Sequence, residues 1–174
     1  MSKYQTFWQR IVATLIDSLI FLPLSYLASF FYQFSDPKNT LMILVFDQAS
    51  FLIYSIYMHA RFGQTIGKWI MKVKVLSLNE TKLSMQQALL RDALHISLSC
   101  IYIFYAVNPI LSGLNPESKA FYQAIPIGIF SLGIIVVVAE ILCMLTNAKR
   151  RSISDFIAAT VVVKQANKHS IGGR

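Results

Sequence analysis

Ile11-Val12-Ala13-Thr14-Leu15-Ile16-Asp17-Ser18-Leu19-Ile20-Phe21-Leu22-Pro23-Leu24-Ser25-Tyr26-Leu27-Ala28-Ser29-Phe30-Phe31-Tyr32-Gln33-Phe34 contains a single charged residue, Asp17. The run exceeds the roughly 20 apolar residues that a helix needs to cross a hydrocarbon core. It is too long for the apolar region of a cleaved leader, and no small-x-small cleavage site closes it. Leu41–Ala60, Ala93–Leu111 and Ala124–Thr146 meet or approach the same length. Two of these also carry an acid, Asp47 and Glu140. A carboxylate in hydrocarbon costs about 3 kcal/mol or more unless it is paired, hydrated or protonated. A simple anchor has no use for one. Asp17, Asp47 and Glu140 therefore point either to an ion or proton path or to polar locks inside a helix bundle.

The whole chain supports a membrane reading. It is 55% hydrophobic and 14% charged, with a mean hydropathy of +0.54. We expect one domain over residues 1–174, a membrane all-α bundle of four transmembrane helices at 11–34, 41–60, 93–111 and 124–146. The net charge of +8 raises the question of nucleic acid. Its placement answers it: of the Lys and Arg residues, only Lys38 and Lys119 lie between spans one and two or spans three and four. The rest lie in the middle loop, 61–92, and in the terminal segments, which puts those segments on the cytoplasmic side. No stripe of basic and base-stacking groups accompanies them, so no nucleic acid is expected. The expected partners are the bilayer and its anionic headgroups, each nearby cation contributing about 1 kcal/mol. Cys100 and Cys143 both fall within spans, without the spacing of a zinc or redox pair.

Between the spans the pattern changes. Ser35-Asp36-Pro37-Lys38-Asn39 is an external turn, and Pro23 removes a backbone bond inside span one. Gln64–Met71 predicts a short interfacial helix with Ile66, Trp69 and Ile70 on one side. That places Lys68, Trp69, Lys72 and Lys74 at the lipid headgroups. Lys72-Val73-Lys74-Val75-Leu76-Ser77-Leu78 alternates like a strand. Asn79-Glu80 is a turn and Thr81-Lys82-Leu83 a possible return strand. Ser84 and Gln87 form a capping box for span three. Ser152–Ala159 predicts a short helix and Thr160–Lys164 a strand that joins the hairpin, giving a small three-stranded cytoplasmic sheet. The C-terminal segment, 147–174, ends in a tail expected to fray from Gln165. Ala124 and Gly128 form a small-xxx-small pair in span four.

The chemistry-bearing residues follow from these positions. Arg10 and Asp17 stand two helical turns apart on nearly one face, with Asp17 about 10 Å deeper. Glu140 and His95 enter the same leaflet from spans four and three, whereas Asp47 falls in the outer half. Gly63-Gln64-Thr65-Ile66-Gly67-Lys68 looks superficially like a phosphate loop. It is one residue short, Trp69 replaces the Ser or Thr, and no buried strand leads into it. No triad of nucleophile, base and acid, no metal-ligand spacing and no dinucleotide turn is present. The chain is not expected to be an enzyme or to hold a cofactor or resident metal.

Arg10 and Asp17, the Gly63–Lys68 loop, Leu90-Arg91-Asp92, and Ser152-Ile153-Ser154-Asp155-Phe156-Ile157-Ala158-Ala159-Thr160-Val161-Val162-Val163, taken in order, resemble the RDD family. This is a group of small, mostly bacterial integral membrane proteins named for one arginine and two aspartates. Arg10, Asp17 and Asp155 are the matching positions, and the likeness covers nearly the whole chain, least closely from His95 to Cys143. It implies residence in a bacterial inner or plasma membrane. Because cation–proton exchange has been attributed to the family in places, it also implies sodium or lithium exchange as one possible activity.

Two readings emerge. In the first, the chain exchanges a monovalent cation for protons. Asp17 is the central carboxylate and candidate cation site, Glu140 a relay, Asp47 the outer access group, and Arg10 with Asp155 an inner lock or gate joined by a bidentate pair. A homo-oligomer is then expected, because four helices make a narrow bundle. In the second, the chain is a non-transporting assembly, anchoring or regulatory subunit, and its polar residues hold the bundle together.

Overall fold

The computed structural model describes residues 3–165. Four helices are long and apolar enough to cross a membrane: α1 (Phe7–Tyr32), α2 (Pro37–Phe62), α4 (Met85–Leu111) and α6 (Ile127–Thr146). Each of the first three is about 39 Å long at 1.5 Å per residue, so their ends overhang a hydrocarbon core of about 30 Å. Three short helices, α3 (Ile66–Ile70), α5 (Lys119–Ala124) and α7 (Ile153–Ile157), and two strands, β1 (Val73–Ser77) and β2 (Thr160–Lys164), complete the order.

Local chemistry sets the boundaries. The Asp36 carboxylate accepts from Asn39 N–H at 2.9 Å, with Pro37 in the first turn of α2, where its missing N–H costs nothing. Gly63 ends α2 at φ +71°, and a Cβ there would sit 2.9 Å from the Val75 carbonyl. Ser84 and Gln87 form the expected capping box of α4, and Ser152 with Asp155 forms a second at α7. α1 runs continuously through Pro23.

The strands pair antiparallel, with Val75 opposite Val162 and Val73 opposite Lys164. This corrects the three-stranded expectation. Asn79-Glu80 does turn, with Glu80 N–H on the Ser77 carbonyl at 2.8 Å, but 81–83 lead straight into the α4 cap rather than back along β1. Too few residues separate the turn from Ser84 to make a strand, and the return along the free edge of β1 stops at one bond, from Ser77 N–H to the Thr81 carbonyl at 3.0 Å. The tail expected to fray, residues 166–174, lies outside the described residues.

A second correction concerns span four. Ala124 closes α5, and Ile125 before Pro126 adopts an extended conformation (φ −87°, ψ 130°), as the proline ring requires of its predecessor. α6 starts at Ile127, so Ala124 and Gly128 do not share a helix, and nothing lies within 4 Å of a Cβ placed on Gly128.

Two cores hold the molecule. One lies under the sheet, from Val73, Val75, Leu83 and Val162. The other lies at the opposite end, from Ala28, Tyr32, Leu44, Ala106, Ile110, Phe121 and Ile125. Between them the helices splay: α2 packs along α4 and, less extensively, α1, while α6 buries only Met144. The sheet end gathers the start of α1, the end of α2, the start of α4 and the end of α6.

Candidate functional site

At the sheet end, α7 places Asp155 at full burial between two guanidiniums. Its Oδ2 lies 2.7 Å from Arg10 Nη1 and its Oδ1 2.6 Å from Arg91 Nη1. Ser152 N–H donates to Oδ2 at 3.0 Å and Thr160 Oγ to Oδ1 at 3.1 Å, which fills the carboxylate's acceptor positions. Arg10 completes its fork elsewhere, on the Arg150 carbonyl at 2.9 Å and Ser152 Oγ at 3.0 Å. The bidentate Arg10–Asp155 pair expected from the sequence is therefore a three-residue bridge, because Arg91 takes the second oxygen. Burial opposes ionisation of Asp155, but Arg91 and Arg10 overcome it and hold the carboxyl well below the usual carboxylate range.

Asp17 shares the buried face of α1 with Arg10 but serves another purpose. Its Oδ1 accepts from Gly67 N–H at 2.8 Å and Tyr54 O–H at 2.9 Å, and its Oδ2 from Thr65 Oγ at 2.6 Å. Tyr54 Oη in turn accepts from Ile66 N–H at 2.9 Å. The free amides that begin α3 thus end on side chains of α1 and α2, and the carboxylate faces the positive end of that helix. The Gly63–Lys68 loop is an inward fold clamped on helix one.

Lys68 was expected among the headgroups. The residue is half-buried, and its ammonium turns inward to His59 Nε2 at 2.7 Å. His59 Nδ1 is 2.8 Å from the Ser55 carbonyl, which can only accept, so Nδ1 carries the hydrogen and Nε2 presents its lone pair to the lysine. One proton therefore lies between an amine and an imidazole. Ser55 Oγ bridges the same histidine, at 3.3 Å, to the buried Asp92 at 3.0 and 3.2 Å. Burial, followed by the charges of Arg91 and Arg10, lowers the Lys68 pKa to about 7. Between that value and the ordinary 10.5, the unfolded chain binds a proton that the folded chain does not. Folding stability contributed by this site must therefore rise with pH across that window. We expect the melting temperature of Lys68→Met to depend less steeply on pH between 7.5 and 9.5 than that of the wild type; equal slopes in thermal unfolding would remove the buried-ammonium assignment.

Glu140, half-buried on α6, accepts from Ser154 N–H at 3.0 Å and from Ser154 Oγ, tying α6 to α7. Trp69 and Lys72 are exposed and Lys74 is half-buried. Asp47 stands apart from this network. It sits about 15 Å along α2 from Pro37, near the middle of the helix. A cleft of about 480 Å³ between α1, α2 and α4 is lined there by Ser18, Ser25, Asp47, Gln48, His95 and Ser99 among apolar side chains. Asp47 Oδ1 accepts from Ser25 Oγ at 3.0 Å. Among the described residues, no group of three or more His, Cys, Asp or Glu side chains is placed to hold a metal.

The roles of Arg91, Asp92, His59, Tyr54 and Thr65 are not legible in the sequence. Leu90-Arg91-Asp92 was visible as a motif. Its partners lie across the chain, Ser55 for Asp92 and Asp155 for Arg91, at separations that carry no periodic signal.

Four membrane-length helices, a buried Arg–Asp–Arg bridge and a loop capped by an aspartate define a small multi-helix membrane-type protein. The model of the RDD family matches residues 4–159, most of the chain, and the chain belongs to that family. No curated protein and no solved structure matches it.

Proposed function

We propose that this RDD-family chain exchanges a monovalent cation for protons across a membrane, with Asp47 as the exchanging carboxylate. The observation that carries this reading is the position of Asp47: near mid-helix, bonded by one hydroxyl, and facing an open cleft. A carboxylate at membrane depth needs a proton, water or a cation. Competition between the last and the first is exchange. Asp17, with three donors, holds the loop shut on α1 in this scheme. Arg10, Asp155 and Arg91 close the sheet end, and Glu140 fastens α6 to that closure. The His59–Lys68 pair is the proton store on that side.

The finer placement belongs to the same proposal. Among the described residues the basic side chains gather at the sheet end, which supports a reading with both termini and the middle loop in the cytoplasm and, with the family, the chain in a bacterial-type plasma membrane. Trp69, Lys72 and Lys74 then meet anionic headgroups, and the bare flank of α6 suits a homo-oligomer. The test uses purified protein in sealed liposomes with an internal pH dye, challenged with sodium, lithium, potassium or tetramethylammonium. We expect cation-driven proton movement that falls at least tenfold in Asp47→Asn, while Asp17→Asn lowers thermal stability. Flux that survives Asp47→Asn would overturn the assignment.

A second reading has its own support: every buried side-chain N or O atom among the described residues already has a partner. That economy suits a rigid assembly, anchoring or regulatory subunit. Silence of folded, inserted protein in the flux assay selects it.

A further inference from the structure

We infer that the mid-bundle cleft binds an organic ammonium group carried on an apolar body, and that Asp47 is its counter-ion. The inference names the class of cation for the exchange proposed above. It rests on that reading only for the choice of Asp47, and equilibrium binding is measured without flux, so the two can fail separately.

Size speaks first. A bare alkali ion needs a tight shell of about six oxygens, whereas about 480 Å³ would hold on the order of fifteen waters at ~30 Å³ each. The volume falls in the range of small-molecule sites, which are largely apolar with a few placed polar groups. The lining has that character: Phe21, Phe51, Leu52 and Leu98 supply the walls. Phe21 and Phe51 meet edge to face with centroids 5.3 Å apart, and aromatic rings attract ammonium groups through their negative faces.

Charge speaks second. Among the described residues Asp47 accepts only the Ser25 hydroxyl, on Oδ1, so Oδ2 is left to a ligand. No Lys or Arg lines the cleft. His95, the one basic side chain there, lies at a depth about 7 Å nearer the sheet end, judged by 1.5 Å per residue along α4 and α2. A cation bound at Oδ2 meets no competing charge at that depth.

Access speaks third. α1 and α4 stand on either side of α2 and scarcely pack on each other, so the cleft is open sideways at membrane depth. An apolar body can arrive through the lipid while its ammonium group reaches the carboxylate. The same chemistry is offered by a free organic cation and by the headgroup of an aminophospholipid.

The experiment titrates the full chain, in neutral maltoside micelles, with tetrapropylammonium followed by calorimetry. Saturable binding is expected, at least tenfold weaker in Asp47→Asn and retained in Asp47→Glu, with size-exclusion profiles showing all three folded. Asn preserves the shape of the side chain and can still accept from Ser25. Added phosphatidylethanolamine that displaces the probe, where phosphatidylglycerol does not, assigns the site to a lipid headgroup. Absence of displacement assigns it to a free cation, and both outcomes support the inference. No saturable binding to the folded wild type, or equal affinity in Asp47→Asn, overturns it and leaves the cleft to acyl chains.

Discussion

Asp155→Asn is expected to destabilise the fold by about 3–5 kcal/mol, the cost of removing one partner from a buried ion pair. The reason is the company Asp155 keeps. Arg10 and Arg91 both point at it from within a site closed to solvent, and each is itself nearly buried. A carboxamide removes the negative charge and turns an amino group toward one guanidinium. Two cations then face each other without an anion. A loss of this size lowers the melting temperature by roughly 10 °C. Thermal unfolding of the detergent-purified chain, followed by loss of the monodisperse peak, reads it directly. Arg91→Met should cost less than Asp155→Asn, because Asp155 retains Arg10, Ser152 and Thr160. A melting temperature unchanged in Asp155→Asn would show that the bridge does not hold the sheet end.

Gly67→Ala is expected to undo the loop. A Cβ on Gly67 would stand 2.1 Å from the Ala13 carbonyl oxygen and 3.0 Å from the Asp17 carboxyl carbon. Both belong to the buried face of α1, and the nearer atom is backbone, so no side chain can swing aside. Relief requires α3 to move off α1, which breaks the Gly67 N–H bond to Asp17 and pulls Thr65 and Tyr54 with it. Overpacking of this kind costs about 1–3 kcal/mol where a core can adjust, and more is expected against rigid backbone. Proteolysis within 63–71, near zero in the wild type, should become rapid in the variant. Matching digestion rates would mean that the loop is not clamped where it lies.

Local and periodic signals were legible: spans from composition, the Ser84 cap from its spacing to Gln87, and β2 from the run of valines that lies buried against β1. Pairing between distant segments was not. β1 and the joining of β2 to it were legible, but the return strand expected at 81–83 is not formed, since alternation says which face is buried and nothing about which segments pair. Asp155 and Arg10 were matched because a fork seeks a carboxylate. Arg91 was not, because one carboxylate can serve two forks and only the fold brings the second within reach. Lys68 was placed at the surface on the usual habit of lysine. Its amine is instead opposite His59, a partner nine residues back across a glycine turn. Asp17 was seen as deep, but a short helix whose amides end on it could not be read from spacing.

The bridge at Asp155 is stitched from parts that are synthesised far apart. Arg91 precedes its partner by 64 residues. Arg10 precedes it by 145, since 155 − 10 = 145. At about 5–20 residues per second, Arg10 is added roughly seven to thirty seconds before Asp155, and Arg91 roughly three to thirteen. Until Asp155 is added each guanidinium lacks that anion, and an unpaired charge is costly to bury. Its arrival joins α1, α4 and α7 through one carboxylate, so the sheet end can close only once α7 has been made.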